Sequence, residues 1–202
     1  MTMTAFHGDA SLKADILAEI QIHRDLDQIA KGTYGSEKNG DWRGCAVGCS
    51  IHSLNRKRGT QFRTDDHAAY ETGFGIPQAL AQLEDGIFEN LPELLYLDWP
   101  LRFMAAIRPG ADLSLVVPRF LHWLMTDPDG IRKYAVPDGL AAISQIAGLY
   151  ERLLIGETIT TDEWSSAAWS AARSAAESAA ESARSAAYTH MADKLIALLE
   201  TA

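Results

Sequence analysis

The C-terminal stretch from Thr160 to Ala202 contains neither proline nor glycine. Thr160 and Glu163 have the spacing of a capping box, in which two residues bond reciprocally at the start of a helix. The stretch therefore predicts a helix of about 38 residues, roughly 57 Å long at 1.5 Å per residue. A helix of this length exceeds the width of a domain of this size, so part of it has to cover another surface.

The middle of this predicted helix is rich in alanine and serine, and reads SSAAWSAARSAAESAAESARSAAY. One interpretation is a partly exposed helix of high intrinsic propensity, with Arg173–Glu177 and Glu181–Arg184 pairs on its wet side. The other is a self-association helix, because small side chains let a second backbone approach closely. We predict a homo-oligomer and two regions, a helical domain over 1–158 and a long helix over 159–202 that packs on the body or on a partner copy.

The rest of the chain shows helical rather than strand periodicity. Apolar residues recur near a 3.6-residue period, and alternating stretches are almost absent. Asp9 is a good N-cap, and glycines and prolines mark the helix ends. The predicted fold class is all-α, a compact domain of about six to eight helices with a long Ala/Ser-rich C-terminal helix. The helices are expected at residues 9–32, 45–54, 65–73, 77–90, 99–107, 114–125 and 137–155, with polar loops at 32–43 and 55–64.

The chain has 202 residues and a mass of 22.1 kDa, enough for one domain with a buried core. Its net charge of −9 disfavours general nucleic-acid binding. No apolar run approaches the roughly 20 residues that span a bilayer, and the N-terminus lacks the plan of a signal peptide. We therefore expect a cytoplasmic protein without membrane association. No Walker or dinucleotide-binding motif is present, and no cofactor is expected.

Positive charge is concentrated in residues 42–64, WRGCAVGCSIHSLNRKRGTQFRT, which we call the basic segment. The segment contains five basic residues and no acid, while the other 179 residues carry 13 bases and 27 acids, a net charge of −14. A single cationic region in an acidic chain suits an anion bound at one place. The alternative is a solvated loop whose basic side chains pair with acids elsewhere.

The residues among these charges are typical of a nucleotide-sized pocket. Gly44 and Gly48 would let a ligand or another helix approach the backbone, and a helix that opens near Cys45 would offer N–H groups to an anion. Trp42 and Phe62 would either stack on a purine ring or serve as core anchors. On the first hypothesis the ligand-binding residues are Trp42, Arg43, Gly44, Cys45, Gly48, Cys49, His52, Arg56, Arg58, Phe62, Arg63, His67 and Tyr70.

Cys45, Cys49 and His52 share one helix face, because they stand at positions i, i+4 and i+7. Simple packing is one use, since cysteine is among the most buried residue types. A metal site is another, with His67 or Asp66 completing the ligands, although zinc ligands usually occur as CxxC pairs. In the third use Cys45 is a catalytic nucleophile, activated at the helix start. Its base would then be His52 or His67, oriented by Asp66.

Several stretches of the chain form a recognisable set of motifs. They are WRGCAVGCSIHS, DHAAYET, GIP, LED-x-IFE-x-LP, WP-x-RF, AI-x-x-GADLS and the alanine-rich helix that closes on ADKLIALLE. With these motifs the chain resembles a family of bacteriophage and prophage proteins of uncharacterised activity. The resemblance extends from about Phe6 to Glu200, and the Cys-Gly motif is its most specific part. It implies a protein that acts in the host bacterial cytoplasm, where small phage proteins without catalytic motifs often oppose host defence by binding.

Three functional hypotheses follow in order of preference. The first is a non-enzymatic protein that sequesters a small phosphorylated or nucleotide-like anion, such as a host-defence signal. The second is a cysteine-dependent hydrolase or transferase with Cys45 as nucleophile. The third is a protein that binds and inhibits a host protein, using its acidic surface to mimic nucleic acid.

Overall fold

A computed structural model describes residues 3–38, 41–134, 137–164 and 181–202. These residues are mostly helical, and one small two-stranded sheet accompanies the helices, which confirms the predicted fold class. The chain divides into two compact units. The first contains residues 1–114 and 196–202, and the second contains residues 115–195.

The first unit holds most of the helices. A 3₁₀ turn at Ala5–Gly8 precedes them, and the elements that follow are α1 (Ala10–Asp25), β1 (Ser36–Lys38), β2 (Asp41–Arg43), α2 (Ala46–Arg58), α3 (Ala69–Phe74), α4 (Gln78–Asn90), α5 (Glu93–Tyr96) and α6 (Trp99–Ala106). The second unit contains α7 (Val116–Thr126), a 3₁₀ turn at Ile131–Tyr134 and α8 (Pro137–Leu154). Helix α9 (Glu181–Glu200) begins in the second unit, and its last turn belongs to the first.

Helix α2 lies at the centre of the first unit and packs against α1, α4 and α6. Burying large apolar side chains is the main favourable contribution to such a core. The indole N–H of Trp99 donates to the Glu84 carbonyl at 3.0 Å, so this buried ring also has its polar atom satisfied. The core of this unit includes the fully buried residues Phe6, Ile16, Ile20, Ile51, Phe74, Phe88, Trp99 and Phe103.

Helix α1 starts where the sequence predicts but ends earlier. The Asp9 carboxylate accepts the N–H groups of Ser11 and Leu12, as expected of an N-cap. The hydrogen bond from the Ser11 hydroxyl, together with these N–H groups, lowers the pKa of Asp9 to about 2. The predicted end at residue 32 is wrong, because the helix stops at Asp25 and Asp27 takes a left-handed φ of 56°. This turn frees Gln28 and Ala30 to bond with Gly44.

Two predicted loops contain regular structure. The 32–43 stretch forms the β1–β2 hairpin, in which Glu37 lies opposite Trp42. Helix α2 continues past residue 54 to Arg58, where Gly59 ends it at a φ of 67°. Arg56, Lys57 and Arg58 thus occupy the last turn of the helix, where positive charge interacts favourably with the helix dipole.

The second unit contains the α7–α8 helix pair and the predicted capping box. The Thr160 N–H donates to Glu163 Oε2 at 2.9 Å, and the Glu163 N–H donates to Thr160 Oγ1 at 3.3 Å. Helical structure begins at 161–164, which confirms this predicted helix start. The repeated SAA stretch at 165–180, with the Arg173–Glu177 pair, lies outside the described residues, so the predicted division near residue 158 and the predicted homo-oligomer stay predictions.

The helices described by the structure include none that is both long enough and apolar enough to cross a membrane.

Candidate functional site

Helix α2 presents the predicted site residues on two sides. Toward α1 it forms a line of charged and aromatic side chains, which we call the α1–α2 seam. The seam joins α1 and its flanking residues, Asp9, Glu19, His23 and Asp27, to α2 and its approach, Trp42, Arg43, His52, Arg56, Lys57 and Arg58. Residues near the end of α2 contact residues near the start of α1, and residues before α2 contact residues after α1. The two helices therefore run antiparallel.

Each basic side chain of the seam has an acidic partner. Arg58 pairs with Asp9 at 3.1 Å and Arg43 with Asp27 at 3.7 Å. Two cations share Glu19, which is nearly buried. They are Lys57 at 3.1 Å and Arg56 at 3.5 Å. The basic side chains are nonetheless substantially exposed, 54% in the case of Arg43, so water competes for the pairs with Asp27 and Asp9 more than for those with the buried Glu19.

An aromatic cluster occupies the middle of the seam. The rings of Trp42 and His52 stack with their centroids 4.1 Å apart and an interplanar angle of 11°, and His23 leans on both. The His52 Nδ1 atom lies 3.3 Å from His23 Nε2, so one imidazole donates and the other accepts. Burial lowers the pKa of both histidines, and the positive charge of Arg56 acts in the same direction.

Gly44 and Gly48 do allow a close approach, and the group that approaches belongs to the chain itself. A Cβ atom at position 48 would lie 1.9 Å from the Tyr34 carbonyl oxygen, and one at position 44 would lie 2.6 Å from the Trp42 ring. The first turn of α2 is likewise occupied, because the Gly48 N–H donates to Cys45 Sγ at 3.4 Å. These contacts position the loop before β1 on the start of α2.

On its other side, α2 meets a group of polar residues that we call the Cys45 cluster, formed by Tyr34, Cys45, His67, Asp85 and Glu89. The Tyr34 hydroxyl donates to Asp85 Oδ2 at 2.6 Å, and His67 Nε2 lies 3.3 Å from the same oxygen. The donor atoms of Cys45, Asp85 and Glu89 all lie within 4.8 Å of one another. Glu89 also accepts the Gly32 N–H at 3.1 Å.

The Cys45 thiol is 1% exposed, and burial, together with the neighbouring acidic groups of Glu84 and Asp85, raises its pKa. Burial also raises the pKa of the Cys49 thiol, which donates to the Gly44 carbonyl at 3.3 Å. Both cysteines are therefore protonated at neutral pH in this state, and neither is bridged. A thiol rather than a thiolate is a poor nucleophile.

His67, the predicted catalytic base, contacts a different carboxylate from the one that the sequence predicts. His67 contacts the Asp85 carboxylate, whereas Asp66 accepts the Ala68 N–H at the start of the next turn. Two of the predicted metal ligands have other partners. His52 Nδ1 lies 3.3 Å from His23 Nε2, and the Cys49 thiol donates to the Gly44 carbonyl.

The remaining predicted ligand residues lie away from the seam contacts. Arg63 forms a two-pronged pair with Asp65 and is 80% exposed, while the Phe62 backbone bonds with the Asn55 side chain. Tyr70 is fully buried, and its hydroxyl donates to Glu84 Oε2 at 2.7 Å. Burial raises the pKa of Glu84 to about 8.

Sequence reasoning missed the acidic partners of both sides of α2. Glu19 lies within the predicted helix over 9–32 with no partner predicted for it, and Glu84, Asp85 and Glu89 occur only in a motif of the family resemblance. One signal was present: Asp85 and Glu89 stand four residues apart in α4, which places two carboxylates on one helix face.

Neither a protein-family model, nor a curated protein, nor a solved structure matches this chain. The geometry of the chain itself therefore has to support any assignment of function.

Proposed function

We propose that this protein is a non-enzymatic binding protein that sequesters a small phosphorylated or nucleotide-like anion in the α1–α2 seam. In the phage setting implied by the resemblance, such an anion would be a host-defence signal. The proposal keeps Trp42, Arg43, His52, Arg56 and Arg58 as ligand contacts. The main supporting observation is that a stacked Trp42–His52 pair and several exposed basic side chains lie along the same seam.

The part of the seam from Glu19 to Asp27 suits a ligand of nucleotide size, and Arg58 extends the row of basic groups toward Asp9, about 15 Å farther along α1. His23, which touches the aromatic stack, and Glu19, which holds Arg56 and Lys57, stand four residues apart in α1, about 6 Å along the helix axis. Asp27, the partner of Arg43, follows four residues after His23. A ring lying against the half-buried edge of Trp42 would thus have basic groups on both sides.

The ion pairs of the seam do not prevent anion binding. Exposed pairs contribute about 0–1 kcal/mol each, so Arg43 and Arg58 can exchange their exposed partners, Asp27 and Asp9. Glu19 is buried and is shared by Arg56 and Lys57, so one of these two cations has to remain with it. A phosphate group can accept two parallel hydrogen bonds from one guanidinium and carries more charge than a carboxylate. The acids of the seam would then limit binding to ligands that are more highly charged than the carboxylates they displace.

Two alternatives remain as hypotheses. A cysteine-dependent enzyme would need Cys45 to ionise, and the raised pKa of its buried thiol does not favour that role. A protein that binds a host factor through its acidic surface predicts a stable complex in a pull-down and no small molecule that copurifies.

The test is native mass spectrometry of the freshly purified protein, compared with its denatured mass. We expect additional mass of nucleotide size that is lost on denaturation. Arg43→Ala and Arg58→Ala should each weaken binding of the molecule so identified at least tenfold, about 1.4 kcal/mol. Their melting temperatures should stay close to that of the wild type, because each removes only an exposed ion pair.

Arg63→Ala is the matched control, since it removes the same charge from the same basic segment but its partner is the adjacent Asp65. We expect it to bind like the wild type. Equal binding by Arg43→Ala and the wild type would remove the site from the seam, and equal losses in all three variants would reduce it to a general charge effect.

A further inference from the structure

Three side chains that can donate to a metal meet beside the first turn of α2. The Sγ atom of Cys45 and one carboxylate oxygen each from Asp85 and Glu89 lie within 4.8 Å of one another. Cys45 is the N-cap of α2, and the two acids stand four residues apart on one face of α4. The packing of α2 on α4 thus brings together donors that are forty residues apart in the sequence.

Two buried carboxyl oxygens, one in this group and one beside it, lack a hydrogen-bond partner. In the part of the chain that the structure describes, Asp85 Oδ1 and Glu84 Oε1 have no hydrogen-bond partner. Glu84 is fully buried and close enough to Cys45 and Asp85 to interact with them electrostatically. Leaving such atoms unpaired costs free energy, and native proteins rarely do so without a reason. A bound cation would supply the partner that Asp85 Oδ1 lacks and would offset the negative charge gathered there.

The other oxygen of Asp85 is held by neighbouring groups. Tyr34 donates its hydroxyl to Oδ2 at 2.6 Å, and His67 Nε2 lies 3.3 Å from the same atom. Metal-binding carboxylates commonly have such partners, which orient the ligand before the ion arrives. Asp85 and Glu89 are less buried than Cys45, so the two acids lie on the side of the group that is nearer to solvent.

We propose that Cys45, Asp85 and Glu89 bind one divalent transition-metal ion of the zinc type. The Cys45 thiol gives up its proton to solvent as the metal–sulfur bond forms, because the thiolate is the ligand. A sulfur donor combined with carboxylates favours zinc over magnesium or calcium, which prefer oxygen donors alone. Ligands of a tetrahedral zinc ion lie about 3.5 Å apart, so closing the site requires side-chain shifts of about 1 Å. The fourth position is open to water. This ligand set is independent of the α1–α2 seam.

The experiment uses the full-length protein, stripped of metal with a chelator and titrated with Co²⁺ as a spectroscopic substitute for Zn²⁺. Binding through Cys45 should produce the near-ultraviolet charge-transfer absorption of a Co²⁺–thiolate bond, saturating at one ion per chain. Added Zn²⁺ should abolish this absorption by displacement. Cys45→Ala and Asp85→Asn should each eliminate it, while Cys49→Ala, which removes the other buried thiol, should retain it.

Glu89→Gln keeps the result decisive if the buried variants fold poorly, because Glu89 is only partly buried. We expect it to weaken Co²⁺ binding at least tenfold, while the far-ultraviolet circular dichroism and melting temperature of the metal-free protein match those of the wild type. Absence of the thiolate absorption in the wild-type protein would overturn the proposal. So would its persistence in folded Cys45→Ala, or an affinity of Glu89→Gln equal to that of the wild type.

Discussion

Polar side chains are partly exposed to water on one side of helix α2 and buried on the other. Along the α1–α2 seam, charged side chains remain partly in water and pair with acids across the helix boundary. On the side that faces α4, Cys45 and Glu84 are buried and depend on a few specific partners. Water can replace the exposed partners of Arg43 and Arg58, whereas buried groups, including Glu19, lose their partners outright when one is removed. Substitutions of similar size should therefore have unequal effects on the two sides.

The largest effect is expected from Gly48→Ala, which adds one methyl group to the buried start of α2. The new Cβ atom would lie 1.9 Å from the Tyr34 carbonyl oxygen, so the backbone of that loop has to move. Overpacking of this kind costs about 1–3 kcal/mol, and backbone contact places this case near the upper limit. Urea unfolding followed by circular dichroism measures the change.

Gly86→Ala is the matched control for this substitution. Position 86 is within α4, is exposed and has nothing within 4 Å of an added Cβ atom. Alanine has the higher helix propensity, so this variant should gain about 0.5–1 kcal/mol. If both variants were equally stable, the close contact between Tyr34 and α2 would be incorrect.

The same contrast explains which parts of the structure the sequence could predict. The Asp9 cap and the Thr160–Glu163 capping box depend on residues close together in the chain. Local patterns suffice for these features, and the structure confirms them. The positive charge of the basic segment was equally visible in the sequence, because charge can be counted without knowing the fold.

The partners of these residues could not be predicted in the same way. Whether Cys45 faces Asp85 or Glu19 depends on how α2 is rotated against α1 and α4, and many long-range contacts fix that rotation together. The hairpin was missed because strands of three residues are too short to show alternation. The predicted first helix is too long because the apolar period of the sequence continues past Asp25. In the structure, the backbone of Gln28 and Ala30 instead forms hydrogen bonds with Gly44.

A smaller loss is expected from Tyr70→Phe, which removes one hydroxyl from the buried side. That hydroxyl donates to Glu84 Oε2 at 2.7 Å, and Glu84 Oε1 already lacks a partner within the described residues. The variant should lose about 1–3 kcal/mol, the cost of leaving a buried acceptor unsatisfied. Tyr34→Phe makes the same chemical change at a partly exposed hydroxyl, where water can replace the bond to Asp85. Comparable losses in the two variants would contradict the contrast between buried and accessible partners.

The smallest effect belongs to the seam and depends on pH. His23 and His52 have lowered pKa values, chiefly because burial disfavours their charged forms, and the Arg56 charge adds to this while Glu19 opposes it. Unfolded histidine has a pKa of about 6.5, so below that pH the unfolded chain binds more protons than the folded chain. The contribution of the pair to stability is therefore present above about pH 6.5 and is lost as pH falls toward the folded-state pKa values.

His52→Gln tests this contribution, because it removes one titrating group and the 3.3 Å contact between His52 Nδ1 and His23 Nε2. It also removes the stacking on Trp42, so the change between two pH values is compared and not the stability at one pH. Protonating both rings would place two N–H donors against each other, which is the physical reason for the expected loss. Urea midpoints at pH 7 and pH 5 should fall further for the wild type than for the variant, with similar denaturant slopes in both proteins. If the midpoint changed equally between pH 7 and pH 5 in the wild type and in His52→Gln, the histidine pair would titrate as it does in water. The seam would then be as open to solvent at its centre as it is at its charged ends.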